Sequence, residues 1–350
     1  MGNNVCAVRG QDGYSCDFLI AGSNIIGNLS ANTLAFGNVS ALEEKQNVAA
    51  DPDIAGPGIV FAVKMAFGVS IGIALLIHFL DLVEICTGRD RSVPIRRIHH
   101  ILNRILVSWS DQQIVLGLAI STAALDQWCS FSTYHLNIIK HWLIISSITH
   151  VNALLVHCNY FQKKKMAATG LRGLLISLHV IFTGVVVFSN GQSADNKIPE
   201  IHHQTPLQIL PASCFFTNST RSNNIDQMHL ATPQTETGYL SSKSLFIWGI
   251  VLIVSSILTL PRHLWDIEDG TKRHLVVWGV RLVQLALNLT LGVLAIGGVE
   301  NIRSWMSKQG LIDVSDGSES DYSYGQYLSA FLALFAAFQI AESFLDDIDE

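Results

Sequence analysis

The sequence predicts an all-α polytopic membrane protein, a bundle of seven transmembrane helices with its N-terminus outside the cytosol and its C-terminus inside. Three observations lead there: the composition, seven apolar windows and an alternating distribution of basic residues. Of the 350 residues, 49% are hydrophobic and 14% are charged, whereas soluble domains carry about 25% charged residues. The net charge of −6 comes with no basic stripe, so nucleic acid is not an expected partner.

Seven windows are long and apolar enough to cross a bilayer, whose core of about 30 Å needs about 20 mostly apolar residues per helix. The second and third windows carry the most polar residues. The windows cover residues 57–80, 110–128, 138–158, 169–190, 244–261, 275–298 and 326–345.

Lysines and arginines concentrate in every second connection, which predicts that these connections face the cytosol. The connections after the first, third and fifth windows contain Arg89, Arg91, Arg96, Arg97, Arg104, Lys163, Lys164, Lys165, Arg172, Arg262, Lys272 and Arg273. The chain then divides into a lumenal arm (1–53), a transmembrane domain (54–346) with a lumenal loop (191–243), and an acidic cytosolic tail (347–350).

Glycosylation sequons and cysteines fall on the predicted outer side, as expected in a membrane of the endoplasmic reticulum. The sequons place candidate glycans on Asn28, Asn38 and Asn218. The outer cysteines are Cys6, Cys16, Cys129 and Cys214. Bridges Cys6–Cys16 and Cys129–Cys214 are one possible pairing, and the other pairings and free thiols stay open.

The third window contains a polar stripe, and an ionisable group at membrane depth by default marks function. At 100° per residue, His135, Ser146, His150 and His157 fall within roughly 60° of one another. The stripe predicts a buried polar cavity, and the alternative is hydrogen-bonded contact between helices. No metal site is predicted, because no histidine pair has four-residue spacing with a carboxylate between.

Polar residues also mark the sixth and first windows. Arg281, Gln284 and Asn288 share one face of the sixth. Arg281 requires a carboxylate or an anionic or phenolic ligand, and Glu342 in the seventh window is a candidate partner. His78, at the cytosolic end of the first window, is expected on a solvated rim that faces basic residues.

Asp111 belongs to the motif W-S-D-Q-Q at the start of the second window. Ser110, with Gln113 three residues on, matches a capping box, and an aspartate in a first turn also suits the helix dipole. The residues alone therefore allow a simple structural role for Asp111 at a helix end.

Several short motifs, in order, resemble a group of filamentous-fungal polytopic membrane proteins. Within that group the chain is similar to the membrane-bound terpene cyclases of fungal meroterpenoid secondary-metabolite pathways, of the ascofuranone and macrophorin type. The resemblance covers about residues 50–345. Its motifs are D-P-D-I-A-G-P-G (51–58), W-S-D-Q-Q (109–113), S-T-Y-H-L (132–136), S-S-I-T-H (146–150) and Y-G-Q-Y (324–327).

The resemblance implies an enzyme that protonates a terminal epoxide or olefin of a lipophilic, farnesyl-type aromatic or quinol and cyclises it. It implies Asp111 as the acid, with His135 and His150 orienting that acid or accepting the final proton. It implies no cofactor, and the sequence has no D-D-x-x-D magnesium motif. The residues expected to contact substrate are Asp53, Gln112, Gln113, Arg281, Gln284, Asn288, Gln326 and Glu342.

Two other functions stay open. A seven-helix receptor or sensor would also have an outer N-terminus and a bridge such as Cys129–Cys214, although no D-R-Y-type motif follows the third window. An accessory transporter of a secondary-metabolite pathway is the second, although no internal repeat is visible. A product of unchanged mass but new ring structure would distinguish the enzyme from both.

Overall fold

The computed structural model describes residues 48–49, 51–87, 93–126, 132–156, 166–188, 242–259, 270–308 and 312–313. Within them the chain is almost entirely helical. One short helix, α1 (Pro52–Ala55), precedes six long ones. The long helices are α2 (Pro57–Thr87), α3 (Val93–Asp126), α4 (Thr133–Val156), α5 (Met166–Phe188), α6 (Ser242–Thr259) and α7 (Gly270–Lys308).

Four helices are long and apolar enough to cross a membrane. These candidate spans are Pro57–Thr87, Tyr134–Leu155, Leu171–Phe188 and Trp278–Ser304, and they coincide with the first, third, fourth and sixth predicted windows. The second window lies in α3, which also carries the charges of Arg96, Arg97, Arg104 and Asp111. The fifth lies in α6, whose described apolar part, Ser242–Ser255, is shorter. The seventh lies outside the described residues.

Helix α4 lies at the centre of the bundle and packs against α2, α3, α5, α6 and α7. The whole of its candidate span is buried inside the protein. A helix enclosed by other helices can carry polar side chains that would be costly against lipid. Its central position therefore explains the polar residues in the third window.

Helices α2 and α3 run in opposite directions, and so do α3 and α4, where Ser110 contacts His150 and Gln113 contacts Ser146. The contact between Asp81 and His99 joins the end of α2 to the start of α3, and Trp109 Nε1 donates to Ala66 O further along the same pair. Helices α3 and α4 are likewise joined by Ser146 Oγ, which donates to Gln113 O at 3.0 Å.

Small residues allow α7 to lie close to the centre. A side chain at Gly298 would collide with the ring of His141 on α4, whose Nε2 would lie 2.7 Å from the added carbon, and one at Gly292 would collide with Phe67 on α2. Small residues permit such close helix contacts in membrane proteins. Beyond the end of α7, strand β2 (Ile312–Asp313) pairs in parallel with strand β1 (Val48–Ala49).

Candidate functional site

Buried polar side chains from α3, α4 and α5 meet in what we call the histidine cluster: Ser110, Ser147, His150 and His179. Ser110 Oγ and His150 Nδ1 are hydrogen-bonded at 3.0 Å, and Ser147 Oγ lies 3.3 Å from His179 Nε2. The two imidazole rings meet edge to face, with centroids 5.2 Å apart. His150 Nε2 and His179 Nδ1 have no hydrogen-bond partner in the described part of the chain. The cluster therefore retains unused capacity to bind or accept a proton.

Asp111 lies next to this cluster in sequence and forms an ion pair with Arg172 of α5. The distance from Arg172 Nη2 to Asp111 Oδ2 is 2.7 Å, and both side chains are about a third exposed, at 38% and 35% respectively. The other oxygen, Oδ1, is buried and has no hydrogen-bond partner within the described segments. Oδ2 is thus bound by the guanidinium of Arg172, while Oδ1 can still form a hydrogen bond or carry a proton.

The capping role considered for Ser110 and Gln113 is wrong. Helix α3 begins at Val93, so these residues lie in its interior, where backbone N–H groups already have helical partners. The Ser110 hydroxyl is hydrogen-bonded to His150, and the backbone carbonyl of Gln113 accepts a hydrogen bond from the hydroxyl of Ser146. Arg96, Arg97 and Arg104 also belong to this helix and not to a loop. The apolar window stops at these charged residues, but α3 continues past them to Val93. This charged first part of α3 packs against α2.

Gly117 makes room for His179. A Cβ at Gly117 would lie 2.6 Å from His179 Nδ1 and closer still to Cε1. Since real contacts of this kind do not occur, only glycine fits at position 117 while the ring keeps its place. The ring position is therefore determined jointly by α3 and by Ser147 on α4.

A second buried group, the amide relay, consists of Ser70 on α2, Asn152 on α4 and Asn288 on α7. Asn288 Nδ2 donates to Asn152 Oδ1 at 3.0 Å, and Asn152 Nδ2 donates to Ser70 Oγ at 3.1 Å. Ser70 Oγ in turn donates to Phe67 O at 2.9 Å. All three side chains are fully buried. The relay joins three helices, which is the hydrogen-bonded contact between helices that the sequence predicts as the alternative to a polar cavity.

A third group, the polar seam, lies where α2 meets α7 and comprises His78, Trp278, Arg281 and Gln284. Trp278 Nε1 donates to His78 O at 2.9 Å, and Gln284 Nε2 donates to Ser255 Oγ of α6 at 2.9 Å. His78 is only 2% exposed, so its expected place on a solvated rim is wrong. The helical extension of α3 covers this end of α2, and Asp81 there pairs with His99.

The remaining predicted residues lie apart from the histidine cluster. His135, at the start of α4, is buried and bonded to Ser132 Oγ at 3.1 Å. Fifteen residues of helix separate it from His150, or about 22 Å, so the two histidines do not share one small site. Asp53 belongs to α1, which packs against α4 where Trp142 Nε1 donates to Ile54 O. Its side chain is outside the described part.

Gln112 is partly exposed on α3, beside Asp111. The other predicted residues fall outside the described ranges. These are Cys6, Cys16, Asn28, Asn38, Cys129, His157, Cys214, Asn218, Gln326 and Glu342.

Sequence reasoning missed His179, Arg172 and Glu300. His179 stands inside the fourth window, where the rule on intramembrane ionisable residues would have identified it. Arg172 was counted only as a basic residue of a connection, and its partner could not be known without the packing of α3 on α5. Glu300, which pairs with Lys64, lies just beyond the sixth window.

The histidine cluster offers two buried imidazoles, and the partly exposed carboxyl group of Asp111 follows Ser110 of the cluster in the chain. Such groups can donate and accept protons. No group of three or more histidine, cysteine or acidic residues suited to a metal is found among the described residues. No protein-family model, curated protein or solved structure matches the chain.

Proposed function

We propose that the chain is a membrane-bound terpene cyclase that acts on a farnesyl-type aromatic or its epoxide by protonation, without a metal. The observation that carries the proposal is the place of Asp111 in the interior of α3, adjacent to the Ser110–His150 contact. A residue that only caps a helix would lie at its end. The resemblance of the W-S-D-Q-Q motif to that of fungal meroterpenoid cyclases supports the same role.

In this proposal Asp111 is the general acid. Its protonated form transfers a proton from Oδ1 to the epoxide oxygen or the terminal olefin, and the resulting cation is attacked by the next double bond. The ion pair with Arg172 holds the carboxylate that remains after transfer. Proton loss from the final cation to His150 Nε2 forms the product alkene, and the proton returns to Asp111 before the next turnover.

The two imidazoles of the cluster are shielded from water. His150 is 1% exposed and His179 is fully buried. Burial limits the access of water, which would otherwise capture the cation. Trp109 is not a neighbour of the acid: residues two apart lie on opposite faces of a helix, and its Nε1 donates to Ala66 O of α2, whereas Asp111 pairs with Arg172 of α5.

The proposal includes seven spans, an outer N-terminus and a location in the endoplasmic reticulum. The four candidate spans, together with the opposite directions of α2 and α3 and of α3 and α4, support this topology. Glycosidase treatment of the expressed protein tests it. We expect a loss of mass that is absent when Asn28, Asn38 and Asn218 are all replaced by glutamine, and no such loss would place these sites on the cytosolic side or leave them unmodified.

The activity is tested with microsomes from a heterologous host that expresses the full chain. A farnesylated phenol, a farnesylated hydroxybenzoate and the terminal epoxides of both are supplied, and products are separated by mass spectrometry and identified by nuclear magnetic resonance. We expect a cyclic isomer of unchanged mass from at least one substrate. Unchanged substrates, in microsomes where an unrelated membrane cyclase is active, would reject the enzyme and favour a receptor or transporter.

A further inference from the structure

The polar seam between α2 and α7 contains buried hydrogen-bonding groups that the protein itself does not use. His78 is 2% exposed and Gln284 6% exposed. Both ring nitrogens of His78 and the Oε1 atom of Gln284 lack a hydrogen-bond partner in the described residues. One turn beyond Gln284, the Oδ1 atom of Asn288 is also buried without a hydrogen-bond partner in the described residues. Buried polar atoms are paired in nearly all proteins, so a cluster of unpaired ones indicates a missing partner.

Arg281 brings a positive charge into this seam. It lies one turn after Trp278, whose indole fixes the register of α7 against His78. The charged groups of Arg281 and Asp81 both lie close enough to His78 for an electrostatic interaction with its imidazole ring. Asp81, however, is paired with His99 at 3.2 Å. Arg281 has no ion pair in the part of the chain that the structure describes, and a guanidinium at a helix interface requires an anion.

The position of Arg281 along α7 suits the head group of an amphiphile. Arg281 lies in the first third of α7, which begins at Gly270, and inside its candidate span. Next to His78 on α2, the apolar side chains of Leu75 and Phe79 are 44% and 59% exposed. A ligand with its charge at Arg281 therefore finds an apolar surface for its chain.

We infer that the polar seam binds the anionic head of an amphiphile, with Arg281 and His78 as donors to a carboxylate or phenolate and Gln284 as an acceptor for a hydroxyl. Two sources share this chemistry, an acidic prenylated aromatic and an anionic lipid. That the ligand is the substrate rests on the proposed function. The substrate would then be an acidic farnesylated aromatic rather than a neutral one.

Binding is measured directly, without turnover, on the full chain in phosphatidylcholine nanodiscs. The probes are radiolabelled 3-farnesyl-4-hydroxybenzoate and the neutral 2-farnesylphenol. We expect the acid to bind about tenfold more tightly, since a charge-assisted contact is worth about 1.4 kcal/mol or more. The comparison uses the wild-type protein, so it does not depend on the folding of any variant.

Variants identify the cation. Arg281→Gln should bind the hydroxybenzoate no more tightly than the phenol, and its affinity for the phenol should be unchanged. Arg281→Lys should retain part of the preference for the hydroxybenzoate. Arg104→Gln is the matched control, because Arg104 is exposed on α3. Competition with phosphatidic acid tests whether the ligand is a lipid. If phosphatidic acid displaces the radiolabelled hydroxybenzoate from the wild-type protein and not from Arg281→Gln, the site is supported and its ligand is a lipid.

Equal binding of acid and phenol by the wild-type protein, with no effect of phosphatidic acid, would overturn the inference. A preference that appears only in Glu342→Gln would also overturn it, because Glu342 would then be the natural partner of Arg281. The assay is independent of catalysis: Asp111→Asn should keep the Arg281-dependent preference. A failed cyclase assay with a positive binding assay therefore rejects the function and not the site.

Discussion

The histidine cluster and the amide relay are both buried against α4, yet they use their hydrogen-bonding groups differently. In the relay, three successive hydrogen bonds connect Asn288, Asn152, Ser70 and a backbone carbonyl. In the cluster, each imidazole has one contacted nitrogen and one without a partner in the described residues. Burial and polarity alone therefore do not distinguish a structural group from a reactive one. The unused atoms of the cluster are imidazole nitrogens, which can bind a proton, whereas the unused atom of the relay, Asn288 Oδ1, is an amide oxygen that only accepts hydrogen bonds.

Replacement of Asp111 by asparagine is the strongest test of this distinction. Asn keeps the size of the side chain and removes the acidic proton, so we expect conversion of the farnesylated substrate to fall by about 10²- to 10⁴-fold, the usual contribution of a general acid. Product formation per folded protein is measured by quantitative mass spectrometry in microsomes.

Asp126→Asn serves as the matched control for Asp111, since Asp126 is the last residue of α3. It should leave conversion unchanged. Full activity of Asp111→Asn would show that Asp111 has only a structural part, and equal losses in both variants would point to a general effect on α3.

Replacement of Gly117 by alanine should disturb the cluster without changing any polar group. The added methyl collides with the ring of His179, and overpacking of this kind costs about 1–3 kcal/mol of stability. We expect a lower unfolding midpoint in detergent together with reduced conversion. Gly72→Ala is the control, because its Cβ would meet nothing within 4 Å, and an unchanged midpoint for Gly117→Ala would contradict the described position of His179.

Replacement of Asn152 by alanine should affect stability alone. The change leaves the Asn288 amide and the Ser70 hydroxyl without their partner, and hydrogen bonds between membrane helices contribute about 0.6 to 1.7 kcal/mol each. We therefore expect a loss of about 1–2 kcal/mol in the free energy of unfolding. Conversion per folded molecule should stay constant, and a selective loss of conversion would instead assign the relay to the active site. Asn103→Ala, whose contacts lie within α3, is the control.

The helical class was predictable because hydrophobicity and window length follow directly from the sequence. The windows that became the four candidate spans contain few charges. The start of α3 was not predictable from the same signal, since its first half is amphipathic and basic and is held against α2. For this reason the capping interpretation of Ser110 failed: a window based on apolarity located the edge of the apolar segment and not the end of the helix.

The candidate site was predictable in part. His150 and Asp111 were identified by their polarity at depth and by a motif, and in the structure His150 is hydrogen-bonded to Ser110, the residue before Asp111. The sequence did not separate His135 from His150 or pair Asp111 with Arg172, because these relations depend on which helices are neighbours. Hydrophobic periodicity shows which face of a helix is buried and leaves the identity of its neighbour undetermined.

The ion pair between Lys64 and Glu300 should give the smallest effect, although it joins two of the three helices that the amide relay connects, α2 and α7. Both side chains are partly exposed, at 39% and 44%, and Glu300 also has Arg303 at 4.0 Å as a second cation. Solvent screening and the entropy of long side chains limit such pairs to about 0–1 kcal/mol. A double-mutant cycle with Lys64→Met and Glu300→Gln, measured by unfolding in detergent, should therefore give a coupling energy below that of Asn152 with Asn288. A larger coupling for the ion pair would mean that its contact with α2 contributes more to the position of α7 than the buried amide contact with α4.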